Sequence, residues 1–279
     1  METRFRFRQP AITVLAYVLI MAGAVIMLMP LAWMVSASLK PMSEIIQVPP
    51  TWIPDHVTLQ NYRDMFQKFP FARYFINSIA TTAIIIVFVL VTSVTAGYAL
   101  ARFALPGRTI IFLLMMSSLM VPFQSRMIPL FQMIVFFHWQ DTYTGVAFPF
   151  LFDAAGIFLM RQFIRDLPQD LIDAARIDGA GELRILLTVI VPLLKPALAA
   201  LTILTFSGAW EEFLWPLIVS SSDATRTLPL GLQYFSEQYG TRIDLQMAGA
   251  TFAALPVIIG FLILQKQFIE GIAMTGIKG

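Results

Sequence analysis

The sequence predicts an all-α membrane protein with six transmembrane helices. Three observations carry that expectation. Of 279 residues, 58% are hydrophobic and only 13% charged, about half the charged share of a soluble domain, and a soluble fold could not cover so much apolar surface. The apolar residues fall in stretches of the length that crosses a bilayer, about 20 residues. Lys and Arg gather on alternate connecting segments. The same composition excludes a disordered chain, a disulfide scaffold and a nucleic-acid-binding domain. Cysteine is absent, so no thiol nucleophile or Cys-ligated zinc exists. His56 and His138 lie far apart and match no metal-ligand spacing.

The spans follow in order. Residues 9–39 hold no charge, and the first span is placed at about 12–35. Arg4, Arg6 and Arg8 precede it like a signal n-region, but the apolar stretch is about twice a signal core, which indicates an uncleaved anchor. Residues 74–101 are uncharged and give a span at 75–101. The third, 110–137, carries Arg126 and an irregular stretch expected at Pro122–Pro129. The fourth, 143–160, contains Asp153; the fifth is 193–219 and the sixth 245–265. The whole chain, 1–279, reads as one transmembrane domain. The segment between the first two spans contains Pro41, Pro49, Pro50 and Pro54 and reads as a packed loop, with a short helix expected at 61–69.

With six spans both termini share a side. That side holds Arg102, Arg108, Arg161, Arg165, Arg176, Arg184, Lys266 and Lys278 besides the three N-terminal arginines, against Lys40, Arg63, Lys68, Arg73, Arg226 and Arg242 opposite. Both termini are therefore expected in the cytoplasm. Trp33, Trp139 and Trp215 then fall near outer span ends, as an aromatic belt would.

The inner loop 161–192 has helix grammar. Asp166 is expected to cap a helix with Pro168 in its first turn. Leu167, Leu171, Ala174 and Ala175 recur at helical spacing and share a face. Gly179 is expected in a backbone conformation that a Cβ disfavours, ending the helix, and a second helix begins near Glu182. On periodicity alone this is either a solvated linker or a docking element.

Asp173-Ala174-Ala175-Arg176-Ile177-Asp178-Gly179-Ala180, followed by Ile190, Pro192 and Pro196, resembles the EAA loop of ABC-importer permeases. Asp173 stands where that family usually has Glu. Asn77-Ser78, Ala99-Leu100-Ala101-Arg102-Phe103 with Pro106-Gly107, Phe158–Arg161 and Trp210–Pro216 are similar to the family as well. The tail, Gly271–Gly279, looks like that of the second permease subunit of maltose-type carbohydrate importers, the MalG-like group.

The resemblance implies a type I importer permease fold. Asp173, Ala174, Ala175, Asp178, Gly179 and Ala180 would couple to a cytoplasmic ATPase dimer, and Ile277, Lys278 and Gly279 would reach that ATPase. A second homologous permease and an extracytoplasmic solute-binding protein would complete the assembly in a bacterial inner membrane. The chain lacks a phosphate-loop motif. It is therefore expected to carry no cofactor and no catalytic site, with ATP and Mg bound by the partner ATPase. The implied solute is a sugar or polyol, with a glycerol-phosphate-type solute as the alternative.

Ionisable groups within spans mark the candidate pathway: Glu211, Glu212 and Arg126. Glu211 and Glu212 are adjacent, so on a helix they point about 100° apart. Either one lines the solute path, or Glu212 braces a neighbouring helix and Glu211 lies at the outer interface. Arg126 either holds an anionic group, snorkels to headgroups or forms a structural ion pair. Asp153 either caps a local break or pairs with a cation. A self-sufficient secondary transporter would need two similar halves, and none is visible. An intramembrane hydrolase would need a nucleophile motif, and none is present.

Overall fold

The computed structural model describes residues 8–238 and 242–276, and among them every regular element is helical. The fifteen α-helices are α1 Arg8–Ser38, α2 Met42–Ile45, α3 Gln60–Lys68, α4 Phe71–Arg102, α5 Arg108–Ser117, α6 Phe123–Phe136, α7 Tyr143–Ala147, α8 Ala154–Asp166, α9 Gln169–Ile177, α10 Glu182–Ile185, α11 Val191–Leu193, α12 Lys195–Glu211, α13 Leu214–Val219, α14 Leu228–Gln238 and α15 Ile243–Gly276. A π-helical turn, Leu186–Ile190, joins α10 to α11. Three helices are unbroken apolar candidates for spans: Ile12–Ser38, Phe71–Arg102 and Ile243–Ile263. Three further candidates are bent pairs, turning by 103° between α5 and α6, 52° between α7 and α8, and 80° between α11 and α12.

Two compact units divide the chain, one of residues 1–69 and 234–254, the other of 70–233 and 255–279. In the first, α1 is exposed all round until its last turns, where Ala37 and Ser38 are buried. Val25, Ile26, Met27 and Leu28 are consecutive and each more than half exposed, and four consecutive residues sample every side of a helix. An apolar helix without a dry side belongs in hydrocarbon. Beyond α1 the chain closes around Lys40, which is fully buried. Its ammonium donates to the Thr51 carbonyl and to Thr51 Oγ1 at 3.3 Å, lies 3.9 Å from Glu44 and sits over the Trp33 ring. The Asp55 backbone N–H, 2.9 Å from Glu44, leads the contacts that hold this carboxyl below its ordinary pKa. Asn61, on α3, donates to the carbonyls of Ser38 and Lys40. The short helix expected at 61–69 is thus present as α3 and anchors the loop.

In the second unit α4 is the element the others pack on: α8 along much of its length, with α7 and α12 beside it. Gly97 permits the closest approach, since a Cβ there would stand 2.9 Å from both the Arg161 backbone nitrogen and Met160 Cβ. A continuous apolar core runs through Ile85, Val89 and Tyr98 of α4, Met160 and Ile164 of α8, Ile172 of α9, Ile185, Ile190 and Leu201.

Several expectations are corrected. The third helix breaks at Ser118–Pro122, not across Pro122–Pro129; Pro129 lies inside α6. The fifth segment is discontinuous within 193–219, turning at Leu194 and opening again at Glu212–Phe213. Trp215 is fully buried and donates from Nε1 to the Gly145 carbonyl at 2.9 Å, so it is a core residue rather than part of an aromatic belt. The last helix runs beyond the expected end of the sixth span, 245–265, to Gly276.

The tight passage of α8 over α4 makes a local prediction. Gly97→Ala should cost about 1–3 kcal/mol by overpacking, read as a lowered thermal unfolding midpoint in detergent. Gly23→Ala, where a Cβ meets nothing within 4 Å, should cost nothing. Equal midpoints for both variants would contradict the packing described.

Candidate functional site

Three of the helix breaks converge. The Ser118–Met120 turn before α6, the Leu151–Asp153 turn before α8 and the Glu212–Phe213 break before α13 border one cleft of about 430 Å³. Arg126, Asp153 and Glu212 are its charged lining residues. Ser118, Gln124 and Thr205 add neutral polar groups, and Phe123, Phe150 and Phe152 aromatic ones. Ile85 and Val89 of α4 form part of its wall.

The carboxylates are there because broken helices need caps. A helix N-terminus exposes unpaired backbone N–H groups, and in a membrane no bulk water satisfies them. Asp153 accepts from the N–H groups of Ala155 and Gly156, both at 3.0 Å, and so starts α8. Glu212 accepts from the Trp215 N–H at 3.0 Å, beside α13. Asp153 caps with both carboxylate oxygens and Glu212 with one, Oε1, and both side chains line the cleft. Of the alternatives open for Asp153, capping is what the structure has.

Arg126 is exposed at the cleft rim with its guanidinium 5.8 Å from the Phe123 ring centre. No ion pair to it occurs among the described residues. Glu211, in contrast, is exposed at the end of α12 and is not part of the lining. The structure therefore brings Arg126, Asp153 and Glu212 together and leaves Glu211 outside.

The second site element is α9. Asp166 does not cap it: that residue is the last of α8, and Pro168 occupies the capping position without a side-chain hydrogen bond. Gly179 has φ +79°, as expected of the helix stop. Gly179 N–H donates to the Arg176 carbonyl at 3.0 Å and Ala180 N–H to the Ala175 carbonyl at 2.9 Å, a Schellman closure. The face pattern differs from the one expected. Ile172 is buried in the core, with Leu167, Ala175 and Ala180 packed beside it. Leu171 and Ala174 point outward with Ile177, which is 85% exposed. Asp170, Asp173 and Asp178 are exposed around them. The outer face of α9 is thus an apolar stripe with an acidic border. Ile277, Lys278 and Gly279 lie outside the described residues.

At the opposite end of α4 a polar knot holds the loop after α13. Asn77 donates to the Arg226 carbonyl at 2.9 Å and accepts from Tyr143 Oη at 2.6 Å. Ser78 Oγ accepts from the Leu228 N–H at 2.7 Å. Asp141 accepts from the Ser221 and Ser222 N–H groups, both at 3.1 Å, and from the Ser222 and Thr225 hydroxyls. Burial pushes the Asp141 pKa up, but these four donors outweigh it and hold the carboxyl below its ordinary value. Sequence reasoning missed this knot, because its partners lie between 66 and 150 positions apart.

The comparisons agree on what the chain is similar to. A family model described as "Binding-protein-dependent transport system inner membrane component" matches residues 93–272. The arabinooligosaccharides transport system permease protein AraQ of Bacillus subtilis is 40% identical, covering 90% of this chain and 91% of that protein. The sn-glycerol-3-phosphate transport system permease protein UgpE of Yersinia pestis is 31% identical over 93% of this chain and 95% of its own length. A chain from the crystal structure of a bacterial ABC transporter involved in the import of the acidic polysaccharide alginate matches with a TM-score of 0.84. That likeness covers 96% of this chain and 99% of the other at 23% identity, and speaks for the fold.

The Asp141 knot makes a pH prediction. A carboxyl with a lowered folded-state pKa stabilises above its unfolded value, near 4, and loses that contribution as pH falls through the folded value. Asp141→Asn should therefore lower stability by about 1–3 kcal/mol at neutral pH. The gap to the parent should close below about pH 4. Thermal unfolding of both proteins across pH 3–7 checks it; a gap independent of pH would contradict it.

Proposed function

The chain belongs to the family of binding-protein-dependent transport system inner membrane components, and from that premise we propose that it forms half of the pathway of an ATP-driven importer for a neutral sugar or polyol. The cleft where three helix breaks meet is the observation that carries this reading. Discontinuous helices bordering a polar cavity are a recurrent way to build a solute site at membrane depth. Glu212 Oε2, which the Trp215 N–H does not use, can accept hydrogen bonds from sugar hydroxyls, and Phe123, Phe150 and Phe152 offer apolar surface to ring faces.

Charge favours the sugar or polyol over the phosphate. Arg126 alone would suit a phosphate, as a glycerol-phosphate solute requires. Asp153 and Glu212 beside it give the lining a formal net negative charge, which repels a phosphate dianion and leaves an uncharged polyol indifferent. The arabinooligosaccharide relative is in keeping with this choice.

The remaining assembly follows from the same premise. ATP and Mg would be handled by a separate cytoplasmic ATPase pair. A second permease would supply the other half of the pathway, and a binding protein would deliver solute. The outer stripe of α9, with Asp173, Ala174 and Ala175 and the turn through Asp178, Gly179 and Ala180, would dock on the ATPase. Its acidic border favours a basic cleft rim there. Ile277, Lys278 and Gly279 would approach the same partner. The distribution of Lys and Arg supports cytoplasmic termini.

Uptake by the reconstituted complex tests the reading, with an arabinooligosaccharide and glycerol 3-phosphate as probes. Glu212→Gln keeps the capping oxygen and should lower sugar uptake by roughly tenfold, the worth of one charged hydrogen bond. Glu211→Gln should transport like the parent. Preference for glycerol 3-phosphate, or full sugar uptake by Glu212→Gln, would overturn it.

A further inference from the structure

We propose that Tyr98 and Arg102 clamp the docking helix α9 to α4, making α4 the rod that carries ATPase-driven movement to the cleft. This rests on the importer reading above and names the residues through which it works.

Arg102 closes α4 and makes three contacts with the α8–α9 corner. Its Nη1 donates to Gln169 Oε1 at 2.7 Å, the first residue of α9, and its Nη2 to the carbonyls of Ile164 and Leu167, the latter at 2.6 Å. The two carbonyls belong to the end of α8, where the regular i+4 partners run out; the Ile164 carbonyl also accepts from the Leu167 N–H at 3.3 Å. A cation there also meets the negative end of the helix dipole. One turn earlier on α4, Tyr98 Oη donates to Glu182 Oε2. Glu182 Oε1 pairs with Arg176 of α9 at 2.9 Å, and Arg176 reaches Asp173 at 3.3 Å. The first residue of α9 and its last turn are therefore both tied to the same end of α4.

The apolar contact through Ile172 and Ala175 is of a different kind. Hydrophobic packing is non-directional and fixes the orientation of a short helix less sharply than directed hydrogen bonds. A planar guanidinium binding three fixed acceptors sets orientation. From this end α4 runs unbroken for 32 residues. Val89 and Ile85, in the cleft wall, lie about 14 and 20 Å along it from Tyr98 at 1.5 Å per residue. The α11–α12 segment is bent by 80° on its way to the cleft, whereas α4 and α8 each run unbroken from the α9 corner to the cleft lining. Packed along α8 and tied to the same corner by Arg102, α4 is an unbroken mechanical link between α9 and the cleft.

The experiment uses the assembled complex in lipid and needs no solute. The chain has no cysteine, so spin labels on Ser118→Cys and Thr205→Cys, both in the cleft lining, report its width. In the parent, ATP with Mg should shift the label distance. Tyr98→Phe keeps the ring that packs on Phe103 and loses only the donor; Arg102→Gln loses the fork. Both variants should bind and hydrolyse ATP while the ATP-driven shift is lost. A merely structural role would instead lower complex yield and ATPase in parallel and leave the shift intact in whatever assembles, which would overturn the clamp. Should Arg102→Gln not assemble, Tyr98→Phe decides alone, and a parental shift in it overturns the proposal. A parental complex whose labels ignore ATP would overturn the importer reading itself, and the clamp with it.

Discussion

Every backbone N–H and C=O placed in hydrocarbon must find a partner inside the protein. That constraint organises this chain. It makes the spans helical, and it makes each interruption of a helix costly unless a side chain closes the exposed end. Asp153 and Glu212 do so for α8 and α13. Because the interruptions meet at one cleft, the groups that make the fold tolerable are the same groups that make the cleft polar. The polar lining of the cleft and the stability of the broken helices share their residues.

The second consequence is a division of labour among helices. Helix breaks build the cleft, and unbroken helices span the distance from it to the α8–α9 corner. α4 is anchored at one end by Asn77 and Ser78, which hold the loop after α13, and at the other by Tyr98 and Arg102. Between them, small contacts such as Gly97 against Met160 let α8 lie close along it. A helix fixed at both ends, with its middle in the cleft wall, couples the two faces of the unit without a flexible joint.

Much of this was legible in the sequence, for physical reasons. Long uncharged stretches mark α1, α4 and α15 because hydrocarbon tolerates little else. Gly179 could be read as a helix stop because few other residues adopt φ +79° at small cost. The sequence leaves Asp153 open between a cap and a cation partner, and its two backbone N–H donors decide for the cap. What stayed hidden depended on tertiary contact. The face pattern of α9 is set by the pocket that takes Ile172, not by the Leu and Ala spacing alone. Trp215 looked interfacial because its hydrogen-bond partner, Gly145, is 70 positions away. Arg102 looked like a cytoplasmic charge of the positive-inside kind, and its three acceptors appear only once α8 and α9 turn their corner beside it. Of the adjacent pair, only Glu212 reaches the cleft, since the helix ends between them.

The central claim is that a polar, water-accessible cleft exists at membrane depth where the helix breaks meet. The most direct measurement is labelling of single cysteines by a small hydrophilic thiol reagent in the membrane-embedded complex. Cysteine at Ser118 or Thr205, in the cleft lining, should react, and protection by transported solute should slow the reaction. Cysteine at Leu204 or Val87, exposed on the outside of the helices, should not react. Silence at Ser118 and Thr205 with labelling at Leu204 and Val87 would contradict the account.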